Sequence, residues 1–153
     1  MFDAPVETWY LWVGLALASS AALGLAVSLP RAPPPDAAGV ADTVDSVAAS
    51  DRAATAVHPV SAEVRIGPYR VWLRDDGATG HATLAYGPVT PVRRGTALWD
   101  VLRGTPPESA FGSPGAFRDA AADARDRPPA WRTTGELTVR AVSWEGVDVT
   151  LVG

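Results

Sequence analysis

A predominantly apolar run extends from Trp9 to Leu29, WYLWVGLALASSAALGLAVSL, 21 residues without one charged side chain. As a helix rising 1.5 Å per residue the stretch is about 31 Å long, the thickness of a bilayer's hydrocarbon core. Trp9, Tyr10 and Trp12 gather at one end, where amphipathic rings favour the membrane interface, and Leu29 closes the other. The pattern predicts a single-pass transmembrane anchor over 9–29 behind a short tail, 1–8. A cleaved signal peptide is the alternative, with Ala26 and Ser28 as small residues for a cleavage site. Against it, no Lys or Arg precedes the run, which exceeds the usual apolar length of about 7–15 residues.

Past the anchor the periodicity changes twice. Pro30-Arg31-Ala32-Pro33-Pro34-Pro35 cannot continue a helix and favours an extended spacer. Asp36 is an N-cap for a weak amphipathic helix over 37–49, where Val40, Val44 and Val47 form one apolar stripe. That stripe is either a helix face for a partner or packing for the chain's own domain. With Ser50 to Pro59 as linker, residues 30–60 read as a Pro/Ala/Asp-rich connection and 61–153 as the folded domain.

In that domain alternation of period two begins near Ala62. Val64 and Ile66, then Tyr69, Val71 and Leu73, alternate with polar residues. Asp75-Asp76-Gly77 turns the chain into a returning strand from Gly80 to Tyr86. Thr96 caps a short helix through Leu102, Gly104 to Gly112 reads as loop, and Ser113-Pro114 starts a helix that Pro128-Pro129 ends. Leu137, Val139 and Ala141 share one face of a strand, Glu145-Gly146 turns it, and Val147, Val149 and Leu151 alternate on the way back. The sum is an α+β domain: an antiparallel sheet with one to three short helices, on the end of a transmembrane helix.

Composition narrows the setting. All 13 basic residues are Arg, the acidic residues number 17, and the net charge is −4. The Lys-free, Asp-rich usage is similar to that of haloarchaeal proteins, whose acidic surfaces stay hydrated at high salt. The excess of acid argues against a nucleic-acid partner, which demands a basic face. Arg93-Arg94, the one basic doublet, reads as a solvated loop. Without Cys there is no disulfide, thiolate chemistry or Cys-based zinc site.

Candidate chemistry is sparse. His58 beside Pro59 and His81 in a strand have no His or Glu at helical spacing to build a metal face. Asp75-Asp76-Gly77 lacks the alternating ligands of a calcium loop, and Ser113 lacks the spacing of a nucleophile elbow. No catalytic residue, metal ligand or cofactor site is assigned, and the chain reads as other than an enzyme. Trp72 and Trp144 fall opposite the main apolar stripes of their strands. They are either a partner surface, with Val40, Val44 and Val47, or side chains covered by helices on the second sheet face.

A short acidic start with Glu7, one apolar helix, then a Pro-interrupted helix feeding a sheet is similar to type IV pilin-like proteins. Pro33-Pro34-Pro35 departs from a pilin's continuous stem. The anchor with Ala32-Pro33-Pro34-Pro35-Asp36 and the following Ala41-Asp42-Thr43-Val44-Asp45 also resembles an uncharacterised haloarchaeal family of single-pass membrane proteins. The resemblance implies a structural or assembly role beside a pilus-like or secretion system, with the bilayer and membrane proteins as partners. A membrane-tethered ligand- or partner-binding module is the alternative. The positive-inside count, no Lys or Arg before the anchor against Arg31 after it, points by one residue to a cytoplasmic domain, whereas the pilin likeness implies a domain outside the cell, the side expected here.

Overall fold

The computed structural model describes residues 9–10, 12–20, 33–50 and 52–153, in two compact units, Met1–Pro33 and Pro34–Gly153. In the first unit residues 9–10 and 12–20 are helical, and Trp9, Tyr10 and Trp12 are exposed. Leu29 and the rest of the expected span beyond residue 20 lie outside the described residues. Among the described residues no helix is long and apolar enough to cross a membrane.

The second unit is α+β. Helix α1 (Ala37–Ala48) starts where the Asp36 carboxylate accepts from the Gly39 N–H at 2.8 Å. Strands β1 (Thr55–Pro59), β7 (Glu136–Trp144), β8 (Val147–Val152) and β5 (Thr90–Pro91) form one sheet in the order β1-β7-β8-β5. Strands β4 (Ala78–Thr83), β3 (Arg70–Asp75), β2 (Glu63–Ile66) and β6 (Arg132–Thr133) form a second, β4-β3-β2-β6. Every pairing is antiparallel except β5 against β8. Both expected hairpins form. Asp76 and Gly77, and Glu145 and Gly146, have positive φ at both central positions, the two-residue turn whose twist matches paired strands.

Two cores flank the β7–β8 ladder. In the first, Val40, Val44 and Val47 of α1 join Val64, Ile66, Val71 and Leu73 of the second sheet and Leu137 and Val139 of the first. In the other, α2 (Ala97–Leu102) and α4 (Pro114–Asp126) cover the opposite face. Phe117, fully buried, packs there at 5.4 Å from Phe111 and 6.3 Å from Trp144 between ring centroids. Thr96 and Ser113 cap these two helices as expected.

Several boundaries differ from the sequence expectation. The domain begins at Pro34 and not at residue 61, because α1 supplies a wall of the first core. Within the expected linker Ser50–Pro59, β1 pairs with β7 from Thr55↔Arg140 to Pro59↔Glu136. Its TAVHP sequence has only one large apolar side chain, Val57, which is exposed, so no hydrophobic alternation announces the strand. The expected loop Gly104–Gly112 contains a single turn, α3 (Pro107–Ala110), opened by a proline whose fixed φ suits a first helical residue.

Candidate functional site

The two sheets end beside each other where β5 and β6 lie. β5 is carried by β8, and the Val92 N–H donates to the Val152 carbonyl at 2.8 Å, which directs Arg93 and Arg94 out of the sheet. β6 is carried by β2 through Val64↔Arg132. The Arg132 side chain joins the two: its Nη1 donates to the Val92 carbonyl at 2.8 Å. Pro128-Pro129, which cannot extend α4, lead from Arg127 round to Trp131.

These segments enclose a cleft of about 410 Å³. Arg93, Arg94, Arg127 and Arg132 line it, with Trp99 and Trp131 as aromatic walls. Among the described residues no carboxylate or imidazole side chain lines it; the remaining polar side chains are Thr133 and Thr134. The Gly153 carbonyl, also on the lining, accepts from the Thr138 N–H at 2.8 Å.

Arg132 is the half-buried member of the group. Burial, followed by the positive charges of Arg94 and Arg93, holds its guanidinium below the ordinary arginine range. Its Nη2 is buried with no hydrogen-bond partner among the described residues. An unpartnered buried donor on a cation beside two further cations is unfavourable by itself.

Trp131 is also close to two cations of the second sheet. The guanidiniums of Arg65 and Arg74 stand 4.8 and 4.5 Å from its ring centroid, and Arg65 stands 4.2 Å from Trp72. Arg74 is neutralised by Glu63, whose Oε2 accepts from its Nε at 2.9 Å and its Nη2 at 2.7 Å. These residues sit on the outer face of the second sheet, where Trp72 pairs with Arg65 on one side and His81 on the other.

The residues singled out in the sequence therefore separate. Val40, Val44 and Val47 are 1, 2 and 4 % exposed, so the stripe belongs to the domain's own core and offers no partner surface. Trp144 packs against the second core, beneath the helices. Trp72 lies half-buried on the outer face of the second sheet, under Arg65. The Thr43 hydroxyl and His58 Nδ1 are 2.9 Å apart, a link between α1 and β1, while exposed His81 lies on the other sheet. Arg93-Arg94, expected as a solvated loop, are exposed and outside any helix or strand, and they also form one side of the cleft. Arg127 and Arg132 carry no sequence signal, since their approach to Arg93 depends on sheet pairings 34 to 39 residues away.

Fold and cleft together define a small α+β domain of two sheets with a cationic, aromatic-walled cleft where the sheets meet. The chain belongs to the family of unknown function DUF7283, whose model matches residues 3–142. Neither a curated protein nor a solved structure matches the chain.

Proposed function

We propose that the protein is a membrane-tethered binding module whose domain takes an anionic ligand in the cleft of Arg93, Arg94, Arg127 and Arg132. One observation carries this reading. A chain of net charge −4 gathers four guanidiniums around a cavity of small-molecule size with no acidic side chain on its described lining. Guanidinium stays protonated at neutral pH, so the lining supports charge recognition in preference to proton transfer. The test is thermal unfolding of the full chain in neutral detergent against a panel of anions at matched ionic strength. A multivalent anion should raise the midpoint in a saturable way, and Arg132→Met should remove the response. Equal midpoints in every salt refute the reading.

The tether rests on the 21 uncharged residues from Trp9 to Leu29. In this reading the protein stays in the membrane pellet through an alkaline wash, and protease added to intact cells removes an extracytoplasmic domain. Ala18→Arg, costing about 2.5–3.5 kcal/mol near a bilayer centre, should release the chain. Recovery of the intact native chain in the soluble fraction would refute the anchor.

A second reading, assembly within a haloarchaeal pilus-like or secretion system, draws support from the outer face of β2–β4. Arg65 and Arg70, 4.2 and 5.9 Å from the Trp72 ring, make it a cationic surface suited to an acidic membrane-protein partner. Charge reversal at Arg65 and Arg70 that breaks a co-purifying complex, with cleft binding intact, would favour this role.

A further inference from the structure

Resting on the anion-binding reading above, we infer that the ligand is a phosphate ester: a phosphoryl group seated among Arg93, Arg94, Arg127 and Arg132, with a planar or apolar body against the Trp131 and Trp99 side of the cleft. Four observations converge on this class. The positive charge is multiple and, on the described lining, unopposed by any acidic side chain. A carboxylate brings one negative charge, whereas a phosphate monoester brings about 1.5 to 2 near neutral pH, with three acceptor oxygens. The donors suit it as well. Arg132 Nη2 is buried and unpartnered, while Nη1 is already held by the Val92 carbonyl. Arg132 therefore adds a fixed charge beside the cleft, and the exposed Arg93, Arg94 and Arg127 supply the donors from the chain beyond β5 and α4.

The cleft also exceeds what the charged group fills. Its 410 Å³ is several times the volume of a phosphate ion at roughly the size of a few waters, about 30 Å³ each. The surplus is walled by indole and proline: Trp99, Trp131, Pro128 and Pro129. Arg94 lies 5.4 Å from the Trp99 ring centroid, so a cation and an aromatic wall adjoin within the cleft. A flat or apolar substituent gains contact there, whereas inorganic phosphate leaves the walls uncovered.

Such esters reach a tethered domain from two sources, as soluble molecules or as the headgroup of an anionic lipid. The chemistry recognised is the same, and separate probes distinguish them. Isothermal titration of the full chain in neutral detergent, with Trp fluorescence in parallel, should use phenyl phosphate, dihexanoyl phosphatidate, inorganic phosphate, benzoate and citrate at matched ionic strength. Phenyl phosphate or the phosphatidate should bind about tenfold tighter than inorganic phosphate and benzoate, with quenching or a spectral shift. Whichever of the two binds more tightly assigns the source. Arg132→Met should weaken the better ester by about tenfold to a hundredfold. Arg127→Met, at an exposed site, should weaken it by a smaller factor even if the Arg132 variant fails to fold, and Arg118→Met, outside the cleft, should leave it unchanged. Citrate or benzoate binding as tightly as the esters overturns the phosphate assignment and leaves the anion site standing. No binding by any probe overturns both.

Discussion

Deleting α1 is the sharpest test of the domain boundary, because a linker helix and a core helix predict opposite results. Compare the chain Pro34–Gly153 with one beginning at Ser50. Deletion removes the entropic cost of ordering α1 along with its burial, so the relevant loss is on the strands it covers. Three valines and two alanines of α1 are buried, Val40, Val44, Val47, Ala37 and Ala41. At about 2 kcal/mol per valine side chain and 0.8 per methyl, the surface they shield on β1, β3 and β7 is worth about 8 kcal/mol. Asp45 adds two bonds, accepting from the Ala85 and Tyr86 N–H groups at 3.0 and 3.1 Å. A domain of this size has a total stability of about 5–15 kcal/mol, so the shorter chain should lose most or all of it. Circular dichroism with urea unfolding reads the outcome, and Val44→Asp in the full chain should reproduce it by placing a charge in the same core. A cooperative transition for the shorter chain within about 2 kcal/mol of the longer one would refute the packing argument.

Three further outcomes follow from single contacts. Asp45→Ala removes the acceptor for both the Ala85 and Tyr86 N–H groups and should cost about 1–3 kcal/mol in urea unfolding; an unchanged midpoint counts against that anchor. Gly80→Val should cost about 1–3 kcal/mol or more, since a Cβ there would stand 2.5 Å from the Pro35 carbonyl oxygen, a backbone atom that cannot rotate away. For Arg132, burial and the positive charges of Arg94 and Arg93 disfavour the charged guanidinium, which keeps its proton all the same. Arg132→Met should therefore leave the ligand-free urea midpoint unchanged or raised, and a loss above about 1 kcal/mol would contradict that cost.

The sequence by itself determined the elements whose signals are local. Asp76-Gly77 and Glu145-Gly146 name their own hairpins, because two successive positive φ values select those residues and the flanking alternation sets which face is buried. Thr96 and Ser113 announce α2 and α4 by the bonds their hydroxyls accept from Trp99 and Ala116 N–H groups three residues on. The apolar stripe of α1 was equally legible, but its destination was not. A periodic stripe says that a helix buries one face, and only the neighbouring β1, β3 and β7 say against what. The tertiary structure alone decided β1, whose small and polar residues carry no alternation and which exists because β7 offers it a free edge. It likewise decided the cleft. Arg132 and the Val92 carbonyl that holds it are 40 residues apart, and they meet through β6 on β2 and β5 on β8. The two-residue strands β5 and β6 leave no periodicity to read, so four arginines scattered along an acidic chain became one site only when both sheets closed.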